Sequence, residues 1–273
     1  MELERSQRKL REQGFGLAAI SYDSIALLEN FAARRKITFP LLSDPDSRII
    51  KAFGVLNDKV PQAGMSAGIP YPGTFIVDHE GRVQAKYFEE DYRQRYTVAG
   101  ILADRFRQDF STVKSAQATR LLRLTASASE PAVRGGQHLT LTLEVQLNEG
   151  LHVYAPGVKE DYIPISWDVV PSGGWKAGAP AFPESKKEKL AGDPDLVPAY
   201  EGGFRITREL VLAPEAIIQP MAGPNGEFVV KGSFRYQACT ERWCYPPETV
   251  PLEWKFQLEG HDRERVPAEL RRK

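Results

Sequence analysis

The alternation of apolar and polar positions changes rhythm once along the chain, close to residue 110. Before that point short apolar runs are spaced by charged, helix-like stretches. Residues 2–13 are charged and free of proline, which predicts a helix. Leu17–Ser21 is an apolar run of strand length. Asp23 or Ser24 can cap the helix that follows, and Ile25, Leu28, Phe31 and Ala32 fall on one face of it. Phe39–Leu42 is again strand-like. Asp44-Pro45-Asp46 opens a short helix through Ile49, Ile50 and Phe53, which Gly54 ends. A Gly- and Pro-rich loop leads to a strand at Thr74–Asp78, a turn at His79–Arg82 and a returning strand at Val83–Phe88. A helix over 93–110 closes the unit, with Val98, Ile101, Leu102, Phe106 and Phe110 inward. This order predicts an α/β domain over residues 1–110.

Residues 111–120 are small and polar and read as a linker. Beyond them the apolar positions alternate in short runs. Leu121–Ser127, Leu139–Leu147, Ile165–Val169, Arg205–Leu212, Phe228–Tyr236 and Val250–Leu258 read as strands. Gly/Pro-rich turns at 171–183, 192–203 and 220–226 separate them. Many strands without a convincing helix predict an all-β sandwich over residues 121–260. Residues 261–273 form a charged tail expected to fray.

Composition narrows the function. A chain of 273 residues with 42% hydrophobic positions has room for two ordinary domains. The 36 basic and 36 acidic side chains cancel, which leaves no electrostatic footprint for nucleic acid. No apolar run approaches the roughly 18 residues of a transmembrane segment. The charged start Met1-Glu2-Leu3-Glu4-Arg5 shows no signal peptide.

The chain has two cysteines, Cys239 and Cys244, too few for a four-ligand zinc site, and its four histidines are scattered. A local pair reads as a disulfide or a redox dithiol. Its four-residue spacer, at the end of a β-rich run, can bring the two backbones within disulfide range. Pro246 and Pro247 keep the next segment from pairing at once, which favours an accessible, edge-like position. Tyr236, Trp243 and Tyr245 can shield the sulfurs. The plainer reading is a disulfide that pins a hairpin, with Glu241 and Arg242 as solvated turn charges.

Three runs in the first half, Leu17-Ala18-Ala19-Ile20-Ser21-Tyr22-Asp23-Ser24, Phe39-Pro40-Leu41-Leu42-Ser43-Asp44-Pro45-Asp46-Ser47 and Tyr71-Pro72-Gly73-Thr74-Phe75-Ile76-Val77-Asp78, resemble thioredoxin-fold redoxins of the AhpC/TSA peroxiredoxin type. The resemblance covers about residues 1–110 and implies a cis peptide bond before Pro72; an ordinary trans turn proline is the alternative. It also implies a reactive cysteine at a helix N-terminus, where the dipole favours thiolate. Residues 1–238 contain no cysteine. The expectation is that the sequence starts inside this domain, without its first strand, its cysteine motif and any signal, and that this half is inactive as written. A degenerate, binding-only domain is the other expectation.

The run Tyr236-Gln237-Ala238-Cys239 through Cys244-Tyr245-Pro246-Pro247-Glu248-Thr249 resembles the N-terminal periplasmic domain of the thiol:disulfide interchange protein DsbD, with support from His152-Val153-Tyr154-Ala155-Pro156-Gly157. This resemblance implies an immunoglobulin-like fold, with Cys239 and Cys244 as the exchanging pair and Cys244 as the sulfur that engages the partner. It implies that His152 and Tyr154 flank the pair and that Tyr200 and Glu201 lie in a cap loop over it. Simple strand packing for the first two and a surface turn for the others are the alternatives. The implied chemistry is thiol–disulfide oxidoreduction, with no metal or organic cofactor. The implied partners are thioredoxin-fold redox proteins or a membrane thiol-electron donor, with an internal relay to the redoxin half, in the periplasm or another extracytoplasmic space. The competing function is a non-catalytic redox-partner binding protein held by a structural disulfide.

Overall fold

The structure, a computed structural model, describes residues 2–61, 63–64, 67–88, 95–98, 100–102, 113–159, 161–189, 196–261, 264 and 266–270. Contacts divide the chain into two compact units, Met1–Val98 with His261–Lys273, and Ala99–Gly260.

The first unit begins with helix α1 (Glu2–Glu12), strand β1 (Ala19–Ser21) and helix α2 (Ile25–Arg35). Strand β2 (Leu41–Ser43) and helix α3 (Arg48–Ala52) follow, then the strands β3 (Gly73–Val77) and β4 (Val83–Phe88). The Glu4 carboxylate of α1 accepts from Thr38 N–H at 2.9 Å and from Thr38 Oγ1 at 2.7 Å, which holds its pKa below the ordinary carboxylate value. The Ser24 hydroxyl caps α2 by accepting from Leu27 N–H. Strands β1 and β2 pair in parallel, Ala19 opposite Leu41 and Ser21 opposite Ser43. Asp44, buried, accepts from the backbone N–H groups of Arg48 and Ile50 and so starts α3. Strands β3 and β4 form the expected hairpin, whose turn is held by Asp78 accepting from Glu80 N–H and Arg82 N–H. Phe75 meets Phe53 and Phe88 edge-on at 5.1 and 4.9 Å.

Three expectations for this unit need correction. No peptide bond among the described residues is cis, so the Tyr71–Pro72 bond is trans. Here Tyr71 N–H donates to Val55 O and Asn57 N–H donates to Ile69 O, which draws the chain extended into Pro72. Residues 93–110 do not begin as a helix, because β5 (Arg95–Tyr96) is extended. Residues 98 and 100–102 are helical and Ile101 and Leu102 are buried, while Phe106 and Phe110 lie outside the described residues. The tail groups with the first unit, and its described residues are ordered where fraying was expected: Glu264 pairs with Arg34 at 2.7 Å, and Ala268–Leu270 forms a helical turn.

The second unit is β-rich. Its strands are β6 (Val113–Ala118), β7 (Leu122–Ala128), β8 (Ala132–Val133), β9 (Gln137–Leu147), β10 (His152–Tyr154) and β11 (Ser166–Val169). After them come β12 (Trp175–Ala181), β13 (Lys186–Lys189), β14 (Leu196–Glu201), β15 (Gly203–Leu212), β16 (Glu227–Tyr236), β17 (Ala238–Cys239) and β18 (Glu248–Leu258). One sheet runs β12-β15-β9-β7-β6, a second β11-β16-β18-β8, and a small third sheet β13-β14-β10-β17. Strand β18 shows why its sequence makes a sheet with one wet face. Val250, Leu252, Trp254 and Phe256 are buried, while Pro251, Glu253, Lys255 and Gln257 point out. These side chains join Leu122, Leu124, Leu139, Leu141 and Leu143 of the first sheet in one core. The Trp254 indole N–H donates to Ser127 O at 2.9 Å across it. Among the described residues no helix is long and apolar enough to cross a membrane.

The expected linker is a strand: β6 pairs with β7 from Val113↔Ala128 to Ala118↔Arg123. It closes one edge of its sheet, where a short polar strand satisfies one ladder and hides its nature in the sequence. Two expected turns also hold strands. Strand β12 lies in 171–183, an edge that accommodates Gly178 and Pro180 through a register shift between Ala177 and Pro180. Strand β14 lies in 192–203 and carries Pro198.

Gly232, in mid-β16, is where β11 comes close: a Cβ there would sit 2.4 Å from Asp168 O and 3.2 Å from the Trp254 ring. Gly232→Ala is expected to destabilise the fold by about 1–3 kcal/mol, the usual cost of overpacking, and a lower urea midpoint with an unchanged slope checks it.

Candidate functional site

The small sheet positions the two cysteines. Strand β10 is its pivot, antiparallel to β14 on one side and to β17 on the other. Residues directly opposite one another in such a ladder send their side chains to the same face. His152 lies opposite Cys239 and opposite Glu201, and Tyr154 lies opposite Ala199. Val153 lies opposite Ala238 and Tyr200. The sheet therefore has two faces of different kind. Val153, Tyr200 and Ala238 enter the main core. Cys239, Tyr154 and Val197 form a separate buried cluster, with Val158 and Tyr162 packed against it.

After Cys239 the chain turns back on itself. Thr240 N–H donates to Trp243 O at 2.8 Å, and Tyr245 N–H donates to Ala238 O at 2.9 Å. The Thr240 hydroxyl accepts from the N–H groups of Arg242 and Trp243, both at 3.2 Å. This turn returns Cys244 opposite Cys239, with Cα atoms 3.9 Å apart, and the two are joined in a disulfide. Access to the two residues is unequal. Cys239 is 0% exposed, whereas Cys244 lies in the exposed turn with Glu241, Arg242 and Trp243. Trp243 itself is 59% exposed.

His152 and Tyr154 both lie on the cysteine face. The Tyr154 hydroxyl is 3.8 Å from Cys244 Sγ. The Tyr154 ring meets His152 edge-on at 5.5 Å and tilts against Tyr162 at 4.6 Å. Burial pushes the His152 pKa down, against the charge of Glu201, which draws it up.

The remaining expected residues sit elsewhere. Tyr200 and Glu201 are in strand β14, not in a cap loop, because both are paired with β10. Tyr200 turns into the main core, stacks on Phe204 at 4.6 Å and donates to Pro183 O. Of the two, Glu201 alone is on the cysteine face. Tyr236 is no shield for the sulfurs either: it is wholly buried in the main core, with its hydroxyl 2.8 Å from Thr119 Oγ1 and donating to Glu248 Oε2 at 2.6 Å. Burial and the Glu248 carboxylate raise its pKa to about 12. Tyr245 leans on the main core under the Arg120 guanidinium, 5.2 Å from its ring centre. The exposed Pro246 and Pro247 follow.

Sequence reasoning missed Val158, Tyr162 and Val197 around the buried sulfur, and Thr240 as the residue that forms the turn. Thr240 carried a readable mark, a hydroxyl residue directly after a cysteine at a turn. Among the described residues, no three His, Cys, Asp or Glu side chains gather as metal ligands would.

Comparison with known proteins divides the chain at the same change of pattern. Residues 1–86 match the family model of the AhpC/TSA family. Residues 120–253, which include both cysteines, match the family model for the N-terminal part of the thiol:disulfide interchange protein DsbD. The peroxiredoxin Bcp of Xanthomonas campestris pv. campestris is 34% identical over 70 residues, covering 26% of this chain and 43% of that protein. The peroxiredoxin Bcp of Escherichia coli K12 is 29% identical over 82 residues, covering 30% of this chain and 52% of that protein. The chain thus spans about half the length of the curated relatives it matches. The N-terminal periplasmic domain of ScsB from Proteus mirabilis aligns with a TM-score of 0.34 at 14% identity, over 55% of this chain and 52% of that one. The two family matches support a thiol–disulfide redox function in general.

Tyr236→Phe tests the buried hydroxyl. It is expected to lower stability by about 1–3 kcal/mol at neutral pH. The folded state keeps the Tyr236 proton that the unfolded chain releases near pH 10, so wild-type stability falls between there and about pH 12. That loss should be missing from the variant in urea titrations across this range.

Proposed function

We propose that the chain exchanges disulfides through Cys239 and Cys244, as an electron-transfer module for partner thiols. One observation carries this reading: within one disulfide, Cys244 is open to solvent and Cys239 is fully buried. A partner thiolate then has one sulfur to attack. It bonds to Cys244 Sγ, the Cys239–Cys244 bond breaks, and its electron pair stays on Cys239. A second partner thiol attacks the partner's own sulfur in the mixed disulfide and releases Cys244. The pair gains two electrons and two protons, and the partner dithiol becomes a disulfide. The reverse sequence reduces a partner.

The match to the DsbD N-terminal family supports the same chemistry. It also supports an immunoglobulin-like sandwich for residues 121–260 and an extracytoplasmic location. The partners we assign are thioredoxin-fold redox proteins or a membrane thiol-electron donor. A relay to the redoxin-like half would need a thiol there, and residues 1–238 contain none. Such a relay therefore depends on a cysteine outside this sequence.

Equilibrating the full chain with glutathione gives the reduction potential of the pair. A value between about −270 and −180 mV, the range of exchange proteins, is expected. A value below about −300 mV makes the bond a structural staple and the chain a binding protein. In single-cysteine variants, Cys239→Ser leaves Cys244 open to a bulky maleimide. Cys244→Ser leaves Cys239, which should react far more slowly; equal rates count against the assignment of Cys244 as the attacked sulfur.

A further inference from the structure

We propose that His152 carries the proton of Cys239 during exchange, an inference that rests on the exchange reading above. Cys239 is 0% exposed, so its sulfur has no direct route for trading a proton with bulk water. Exchange nevertheless requires it to gain a proton as the leaving sulfur and to lose one as the returning nucleophile. His152 is the base placed to do this. It lies in register with Cys239, on the same sheet face, at the distance of about 4.5–5.5 Å between Cβ atoms typical of such pairs. The side chain is 4% exposed, and its Nε2 has no hydrogen-bond partner among the described residues. A buried ring nitrogen left open is costly for a merely structural residue and is what a proton carrier needs.

The groups facing the ring are Glu201 from β14, Cys239 from β17 and Tyr154 from its own strand, with Tyr162 packed beyond Tyr154. Burial lowers the pKa of the imidazole and the Glu201 carboxylate opposes this only in part, so the ring stands neutral and able to accept a proton. In the oxidising direction the neutral imidazole takes the Cys239 proton. The Cys239 thiolate attacks Cys244 Sγ of the mixed disulfide and the Cys239–Cys244 bond re-forms. The partner leaves as a thiolate, which takes the proton from the imidazolium. In the reducing direction the imidazole accepts the proton released by the partner thiol and gives it to the departing Cys239 sulfur.

The test uses the full chain. Ring-nitrogen NMR titration of His152 is compared in the oxidised and the dithiothreitol-reduced protein. The ring pKa is expected to rise on reduction, when an ionisable sulfur appears beside it. In parallel, exchange with glutathione is followed from pH 5 to 9 for wild type, His152→Phe and His152→Gln, with folding checked by circular dichroism. Near neutral pH the variants are expected to slow by about a hundredfold, the scale of general acid–base catalysis, and to lose the imidazole inflection. A ring titration unchanged by reduction overturns the proposal, and so does a His152→Gln chain with the wild-type pH profile. Absence of exchange in the wild-type chain overturns the exchange reading itself, and the proposal falls with it.

Discussion

The two-faced small sheet is the constraint on which the rest of the second unit depends. Strand side chains alternate with a period of two, so a three-residue strand in the middle of a sheet must split its side chains between both faces. In β10 the middle residue, Val153, goes to the main core, and its neighbours His152 and Tyr154 go to the other side. Pairing with β14 and β17 then sorts their residues in the same way. The main core anchors this sheet through Val153, Tyr200 and Ala238, and the opposite face carries a sulfur, an imidazole and a phenol. A slip of one residue in either ladder would exchange the two sets.

The disulfide continues the ladder rather than replacing it. Ala238 O accepts from Tyr245 N–H and Thr240 N–H donates to Trp243 O, so the turn carries backbone hydrogen bonds of its own beside the disulfide. The solvent side of the turn is occupied by Glu241, Arg242 and Trp243, and the protein side by Cys239 with Tyr154, Val197, Val158 and Tyr162. One cysteine residue is therefore exposed and the other buried.

The first unit presents a different picture. Its α/β elements follow local rules that are visible residue by residue: the Ser24 cap, the Asp44 carboxylate at the start of α3, the Asp78 turn between β3 and β4. Its exposed apolar side chains, among them Ile20 in β1 and Leu42 in β2, show that these two paired strands bury little by themselves. The backbone into Pro72 is trans and extended, set by the pairing of residues 55–57 with 69–71.

By itself the sequence determined the elements whose signal is local and strong. The long strands β9, β16 and β18 announce themselves by alternation, and α2 by its cap and apolar face. The two cysteines announce their own pairing by spacing. The edge strands β6 and β12 escaped because they need only one ladder and tolerate what turns are made of, a polar run in β6 and Gly178 and Pro180 in β12, whereas β14, paired on both sides, escaped because Pro198 in it reads as a turn. Tyrosines looked alike in the sequence, yet Tyr154 stands by the sulfur while Tyr200 and Tyr236 fill the main core. Only the tertiary structure decided which face each occupies and which cysteine meets the solvent. Register and turn geometry arise from pairing between segments as distant as His152 and Cys239, and no local pattern encodes a contact of that separation.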